Sequence, residues 1–402
     1  MTTILSGGAV VLADRLVNPG TVVIEAGRIV EVRAGHAAAG PGVVDVSGQV
    51  VVPGFIDVHV HGVLGHDVQG SPGGIAAIAA QMPRFGCTSF TPTTFACPPS
   101  TLSMVAQAVA AAMDTRPAEA ARVLPAHLES NFMAPDYRGA QPLTALCLPP
   151  GAPADLATPG TATDFTADDI VSVIAANRSA VGTVTMAPEL PEALTLIRDL
   201  VTYGHGVSLG HSGATLEEGR AGIEAGARRA THLFNRMPPL THRAPGLIGA
   251  VLDDDRVVVE LVCDGYHVHP VVMRAAIRAK RPERVMAITD GLAGAGLAEG
   301  ARFEIDGRAI TVRSQACFLD DGTLAGSRLT MDKVFTNLVE MVGMTPLEAA
   351  MMTATVQART LGLGDRGRLA EGLLADLVVL DGAWHVRQTL IGGAVVYADD
   401  AS

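Results

Sequence analysis

The sequence predicts an α/β protein: a closed (β/α)8 barrel with a small β-sandwich domain assembled from both chain ends. Three observations carry that reading. Short apolar runs alternate with Ala-rich helical stretches through the middle of the chain, the pattern of βα units around a parallel sheet. Both ends read as strands and turns without helix. Nearly every polar residue suited to chemistry falls at the C-terminal end of a predicted strand, where barrels place their active sites. A doubly wound open sheet is the second choice, and this last observation disfavours it.

From Thr3 to Val52 the chain is a series of β-type runs, such as residues 21–25 and 28–32, broken at Ala26-Gly27 and other turn residues. The stretch from about Gly367 behaves likewise, with runs at 375–380 and 394–397 set off by Asp381-Gly382 and Gly392-Gly393. Residues 1–52 and 366–402 are therefore expected to form the sandwich domain, and 53–365 the barrel domain. Eight barrel strands are expected near residues 51–61, 88–95, 122–129, 182–189, 206–211, 228–235, 257–264 and 284–290. The run Gly291–Gly296 lacks both the spacing of a dinucleotide fingerprint and the Lys-Ser/Thr of a phosphate loop, so it reads as a flexible loop behind Asp290. Leu329, Val334, Leu338 and Met341 recur near helical spacing and read as core packing.

Composition narrows the function. A chain of 402 residues, 48% hydrophobic and 17% charged, supports one large core and a smaller one. Its net charge of −12 contains no long like-charge block, which argues against nucleic acid or an anionic membrane as partner and favours a small substrate. The five cysteines are scattered and contain no C-x-x-C pair, so reduced thiols are expected rather than disulfides or a thiolate zinc site. The chain shows neither a basic segment followed by an apolar run at its start nor about 18 uninterrupted apolar residues elsewhere, and a cytoplasmic soluble protein is expected.

The strongest chemical signal is Asp57-Val58-His59-Val60-His61-Gly62 after the Pro53-Gly54 break. Alternation along a strand sends His59 and His61 to one side and aims two imidazoles at one point. Alone, such a pair is more often structural than metal-binding. Its weight rises because Glu129, His211, His232 and Asp290 lie at the ends of other predicted strands. In a closed barrel these groups converge at the mouth, where four imidazoles and two carboxylates suit one or two divalent ions such as zinc or iron.

The string Val52–Gly62 resembles the opening of the amidohydrolase superfamily. Thr185–Glu189, Gly210-His211-Ser212, Thr231–Met237, Cys263–Pro270 and Leu324–Asp332 resemble the N-acetylglucosamine-6-phosphate deacetylase family. The resemblance implies that His59 and His61 hold one metal, that Glu129 is a ligand able to bridge to a second, and that His211 and His232 complete the other site. Asp290 is implied as the proton-transfer residue. Asn235, Arg243 and His267 are implied as phosphate or sugar contacts, Arg243 reaching across a homodimer interface. Three departures stand near the reaction. Ser130-Asn131 replace the family's Gly-Pro, Gln141 replaces its His, and Arg236 stands where a small residue is common. Gln141 is expected to offer the acyl carbonyl a neutral hydrogen bond, and Arg236 to add positive charge near the substrate anion. Deacetylation of N-acetylglucosamine 6-phosphate is the expected reaction. Deacylation of another N-acyl amino sugar or of a small N-acyl amino acid stays open, as does a homologue that binds a metabolite without turnover.

Overall fold

The computed structural model describes residues 2–399 except 159, 306 and 315, so the last three residues of the expected terminal domain lie outside the described residues. Eight parallel strands follow one another around a barrel: Phe55–Val60, Cys87–Thr94, Ala126–Glu129, Val181–Met186, Gly206–Leu209, Arg229–Ala230, Val258–Val262 and Val285–Ile288. The ring closes just beyond the last strand. Asp290 N–H donates to the His59 carbonyl at 3.0 Å and His61 N–H to the Gly291 carbonyl at 2.8 Å. Asp57 reinforces the seam by accepting from the Thr289 hydroxyl at 2.5 Å.

A helix follows each strand and covers it. The fifth, Leu216–Ala225, shows why these segments start and stop where they do. Thr215 and Glu218 cap one another's backbone N–H groups, and Gly226 ends the helix at φ 126°. Strands covered in this way on one face and packed against the barrel interior on the other are buried throughout, as the second strand illustrates. Phe55, Phe90, Phe132 and Phe335 are fully buried in this core, with Phe55 and Phe335 stacked at 5.4 Å.

The strands of the two chain ends form a separate eight-stranded sheet, in which Leu377–Leu380 pairs with Val50–Pro53 and links the C-terminal strands to the N-terminal ones. Leu5, Val22, Ile24, Val51, Leu377 and Leu390 give it a core of its own.

Three details depart from the expectation. Residues 122–129 split at Pro125 into Arg122–Val123 and Ala126–Glu129, which pair in parallel with the second barrel strand at Ser89-Phe90 and Thr93-Thr94 respectively. Residues 302–327 form an unforeseen antiparallel four-stranded sheet between the last barrel strand and its helix. The run Gly291–Gly296, expected as a flexible loop, is packed into the interior as far as Ala295. Leu292, Ala293 and Ala295 are buried, and a Cβ added at Gly294 would stand 2.7 Å from Phe303 and Val312 of the inserted sheet. The helix beginning at Met331 buries Val334, as its periodicity implied, and Leu338 is buried directly beyond it.

Candidate metal centre and active-site cavity

The site forms where the barrel strands end. Strand alternation brings the Nε2 atoms of His59 and His61 to 3.3 Å. Glu129 closes its own strand. His211, His232 and Asp290 arrive by another device: each follows the end of a short strand and adopts left-handed backbone, with φ of 48°, 26° and 49°. That conformation is strained for a residue with a Cβ, and it breaks the ladder at the point where the side chain enters the cavity.

Glu129 is the hub. Its Oε1 lies 3.0 Å from His211 Nε2 and 2.9 Å from His232 Nε2, and those two nitrogens are 3.0 Å apart. The same oxygen stands 3.7 Å from His59 Nε2, and Oε2 stands 3.7 Å from His61 Nε2. Asp290 Oδ1 lies 3.4 and 3.5 Å from the same two nitrogens. Two half-sites, His59/His61 and His211/His232, thus share one carboxylate.

The donor set fits a divalent metal. His211 Nδ1 faces the Tyr137 carbonyl at 2.9 Å, an acceptor that places the ring proton on Nδ1 and leaves Nε2 as a lone pair toward Glu129. The charge balance points the same way. Burial pulls the His59 imidazole down, but Glu260, Asp290 and Glu129 outweigh it and lift the ring to about 10, so the centre demands positive charge. Burial likewise opposes ionisation of Glu129 and Asp290. The histidines nevertheless hold Glu129 well below the ordinary carboxylate range and Asp290 at about 2. Among the described residues no Lys or Arg pairs with Glu129, Glu260 or Asp290. Nitrogen and carboxylate ligands in this number suit ions of borderline softness.

A cavity opens over this cluster. Of the site residues expected from sequence, His61, Glu129, Gln141, His211, His232, Asn235, Arg236, His267 and Asp290 line it, together with Phe95 and the edge of the inserted sheet at Leu324–Gly326. His59 is fully buried beneath it. Arg243 stands on an exposed loop outside the lining.

The three departures from the family pattern have defined contacts. Gln141 donates its amide N–H to Glu129 Oε2 and accepts from Ala96 N–H at 2.8 Å, so its amide braces the shared carboxylate. Asn131 donates to the Cys97 and Ala145 carbonyls, and Ser130 to the Thr185 carbonyl, tying neighbouring loops together. Arg236 is half-buried, its guanidinium pulled down by burial and by nearby Arg138. The guanidinium donates to the Leu324 carbonyl at 3.3 Å. His267 is held through Nδ1 by Asp264 at 2.5 Å.

Sequence reasoning missed three residues that the geometry places at the centre. Asp57 anchors the barrel seam, Glu260 sits 2.9 Å from His59 Nδ1, and His127 packs edge-on against His59 with ring centroids 4.7 Å apart. The available signal for Glu260 was an acid inside the apolar run Val257–Val262, since a carboxylate buried there needs a partner.

Comparison with known proteins places this arrangement. The amidohydrolase family model matches residues 50–397. The N-acetylgalactosamine-6-phosphate deacetylase of Escherichia coli O157:H7 is 35% identical, covering 86% of this chain and 87% of its own. The N-acetylglucosamine-6-phosphate deacetylase of Bacillus subtilis strain 168 is 33% identical over 87% of this chain and 85% of its own. Among solved structures, a variant N-acetyl-D-glucosamine-6-phosphate deacetylase from Mycobacterium smegmatis, in complex with N-acetyl-D-glucosamine-6-phosphate, superposes with a TM-score of 0.88 at 30% identity, covering 99% of this chain and all of that one. Barrel, ligand cluster and whole-length similarity agree: the chain belongs to the amidohydrolase family, in its N-acetylglucosamine-6-phosphate deacetylase branch.

Proposed function

We propose that the protein hydrolyses the N-acetyl amide of N-acetylglucosamine 6-phosphate, releasing acetate and glucosamine 6-phosphate, and that it works as a cytoplasmic homodimer. One observation carries the reading: a single cavity is lined both by a hydrolytic set and by Arg236 and His267, the cationic and polar groups that a sugar phosphate requires. His59, His61, Glu129, His211 and His232 would hold one or two zinc or iron ions. When bound, such an ion polarises a carbonyl oxygen and makes water a competent nucleophile at neutral pH.

The chain's own residues do the rest. Asp290, ionised at neutral pH, accepts the proton of the attacking water at a carboxylate oxygen and delivers it to the departing amine, which leaves badly unless protonated. Gln141 keeps Glu129 oriented. Asn235, Arg236 and His267 bind the sugar and its phosphate, Arg236 through planar donors able to take two oxygens together. Arg243, exposed on its own subunit, would reach the cavity of the partner.

A second reading is deacylation of another N-acyl amino sugar, favoured by Gln141. Its amide is engaged by Glu129 and Ala96 at the place where the family's His is expected to meet the acyl carbonyl. Acetate release from the 6-phosphates of N-acetylglucosamine and N-acetylgalactosamine, from both unphosphorylated sugars and from N-acetyl amino acids decides between them. Equal turnover with and without the phosphate would sink the proposal.

A further inference from the structure

We infer that Glu260 is a positioning residue: it fixes the His59 ring and thereby sets whether the His59/His61 half-site holds its ion, while the His211/His232 half-site fills without it. The inference rests on the metal-centre reading given above.

Glu260 lies in the Val258–Val262 strand and is 1% exposed, so its carboxylate needs a partner within the barrel. The partner is His59, whose Nδ1 donates to Glu260 Oε2 at 2.9 Å. The His232 N–H approaches the same oxygen at 3.4 Å and helps to hold the carboxylate in place. In the neutral ring that a metal ligand requires, this bond commits the proton to Nδ1 and points Nε2, as a lone pair, at Glu129 and His61. An acid behind a ligating imidazole both orients the ring and makes it a stronger donor.

His59, His127 and Glu260 themselves form a cluster with metal-ligand spacing, but His127 is already committed. Its Nδ1 faces the Val58 carbonyl at 3.3 Å and its Nε2 the Thr185 hydroxyl at 2.7 Å, and Thr185 continues to Thr231 at 2.7 Å. The cluster is a hydrogen-bonded floor under the centre rather than another ion site.

The two half-sites are braced unequally. His211 is oriented by a neutral carbonyl, that of Tyr137, whereas His59 is oriented by a charged carboxylate. The second histidine of each half-site, His61 and His232, has an Nδ1 without a hydrogen-bond partner among the described residues, so the two half-sites differ in the group behind their first histidine; the His61 ring is stacked on Phe95 at 4.1 Å. The first half-site therefore depends on Glu260 in a way the second does not.

The test counts metal and needs no substrate. Full-length wild type, Glu260→Gln, Glu260→Leu, His59→Ala and the Glu260→Leu/His59→Ala pair are stripped, reloaded with zinc and titrated against a chromogenic chelator, with thermal melts of the stripped proteins as a folding check. Wild type is expected to hold two equivalents. Glu260→Gln, which keeps the shape and loses the charge, should weaken one equivalent about 10- to 100-fold and leave the other unchanged. Glu260→Leu should keep one equivalent, match His59→Ala, and lose nothing further in the pair. If Leu prevents folding, the Gln variant decides. A folded Glu260→Gln protein with both equivalents at wild-type affinity overturns the inference, as does a wild type that takes up one equivalent. A wild type that binds no zinc or other divalent ion would instead overturn the metal-centre reading itself.

Discussion

Replacing Asp290 by Asn is the most direct probe of the chemistry. The change keeps size and planar shape, and Asn tolerates the left-handed backbone at this position, φ 49°, at least as well as Asp. The backbone N–H bond to His59 and the Ser327 N–H bond to the Asp290 carbonyl do not involve the side chain, so the barrel seam should survive. What disappears is a carboxylate that the surrounding imidazoles keep ionised, and with it the proton carrier between water and amine. Losing a general acid/base costs about 10²- to 10⁴-fold in rate. At 1.36 kcal/mol per decade that is roughly 2.7–5.4 kcal/mol of transition-state stabilisation. Asp290 also stands 3.4–3.5 Å from two proposed ligand nitrogens, so loss of its charge can weaken ion retention as well. Turnover on saturating N-acetylglucosamine 6-phosphate must therefore be measured beside bound metal in the same preparation. A metal-replete Asn variant with the parental kcat would remove Asp290 from the proton-transfer role.

Exhaustive chelation should abolish acetate release, and zinc or iron should restore it; full activity in metal-free protein would end the metal-centre reading. Arg236→Leu should lower kcat/KM at least tenfold for a phosphorylated substrate and little for its unphosphorylated analogue, because a charge-assisted contact is worth about 1.5–3 kcal/mol. Equal effects on the two would free Arg236 of any phosphate role. Gly294→Ala places a Cβ 2.7–2.8 Å from Phe303, Val312 and Cys317, and such overpacking costs about 1–3 kcal/mol, readable by urea denaturation. An unchanged midpoint would show that this segment yields freely.

Much of the site was legible because its residues sit at period-2 positions or strand ends. His59 and His61 needed nothing beyond alternation, and Glu129 nothing beyond an apolar run ending in an acid. His232 was expected on a strand running to residue 235, yet that strand stops at Ala230 and His232 follows it in a bend. His232, Phe234 and Arg236 all have positive φ, which side-chain alternation does not anticipate. Glu260 escaped because a lone acid in a Val-rich run carries no periodic signal, and its meaning comes from His59, two hundred residues away in sequence. The inserted sheet escaped for a related reason. Its short runs are separated by Gly and Asp turns and were absorbed into the connection after the last barrel strand. Only tertiary packing against Phe95 and Leu292 shows that they build a wall of the cavity.

The joining of both chain ends in one sheet has a consequence for synthesis. The strand Val50–Pro53 waits for Leu377–Leu380, which leaves the ribosome more than three hundred residues later. At roughly 5–20 residues per second the nascent chain carries that Val-rich edge unpaired for tens of seconds. An open apolar edge is a template for pairing with other chains. Chains stalled or cleaved before residue 377 should therefore aggregate far more than full-length protein, even where every barrel strand has already been made.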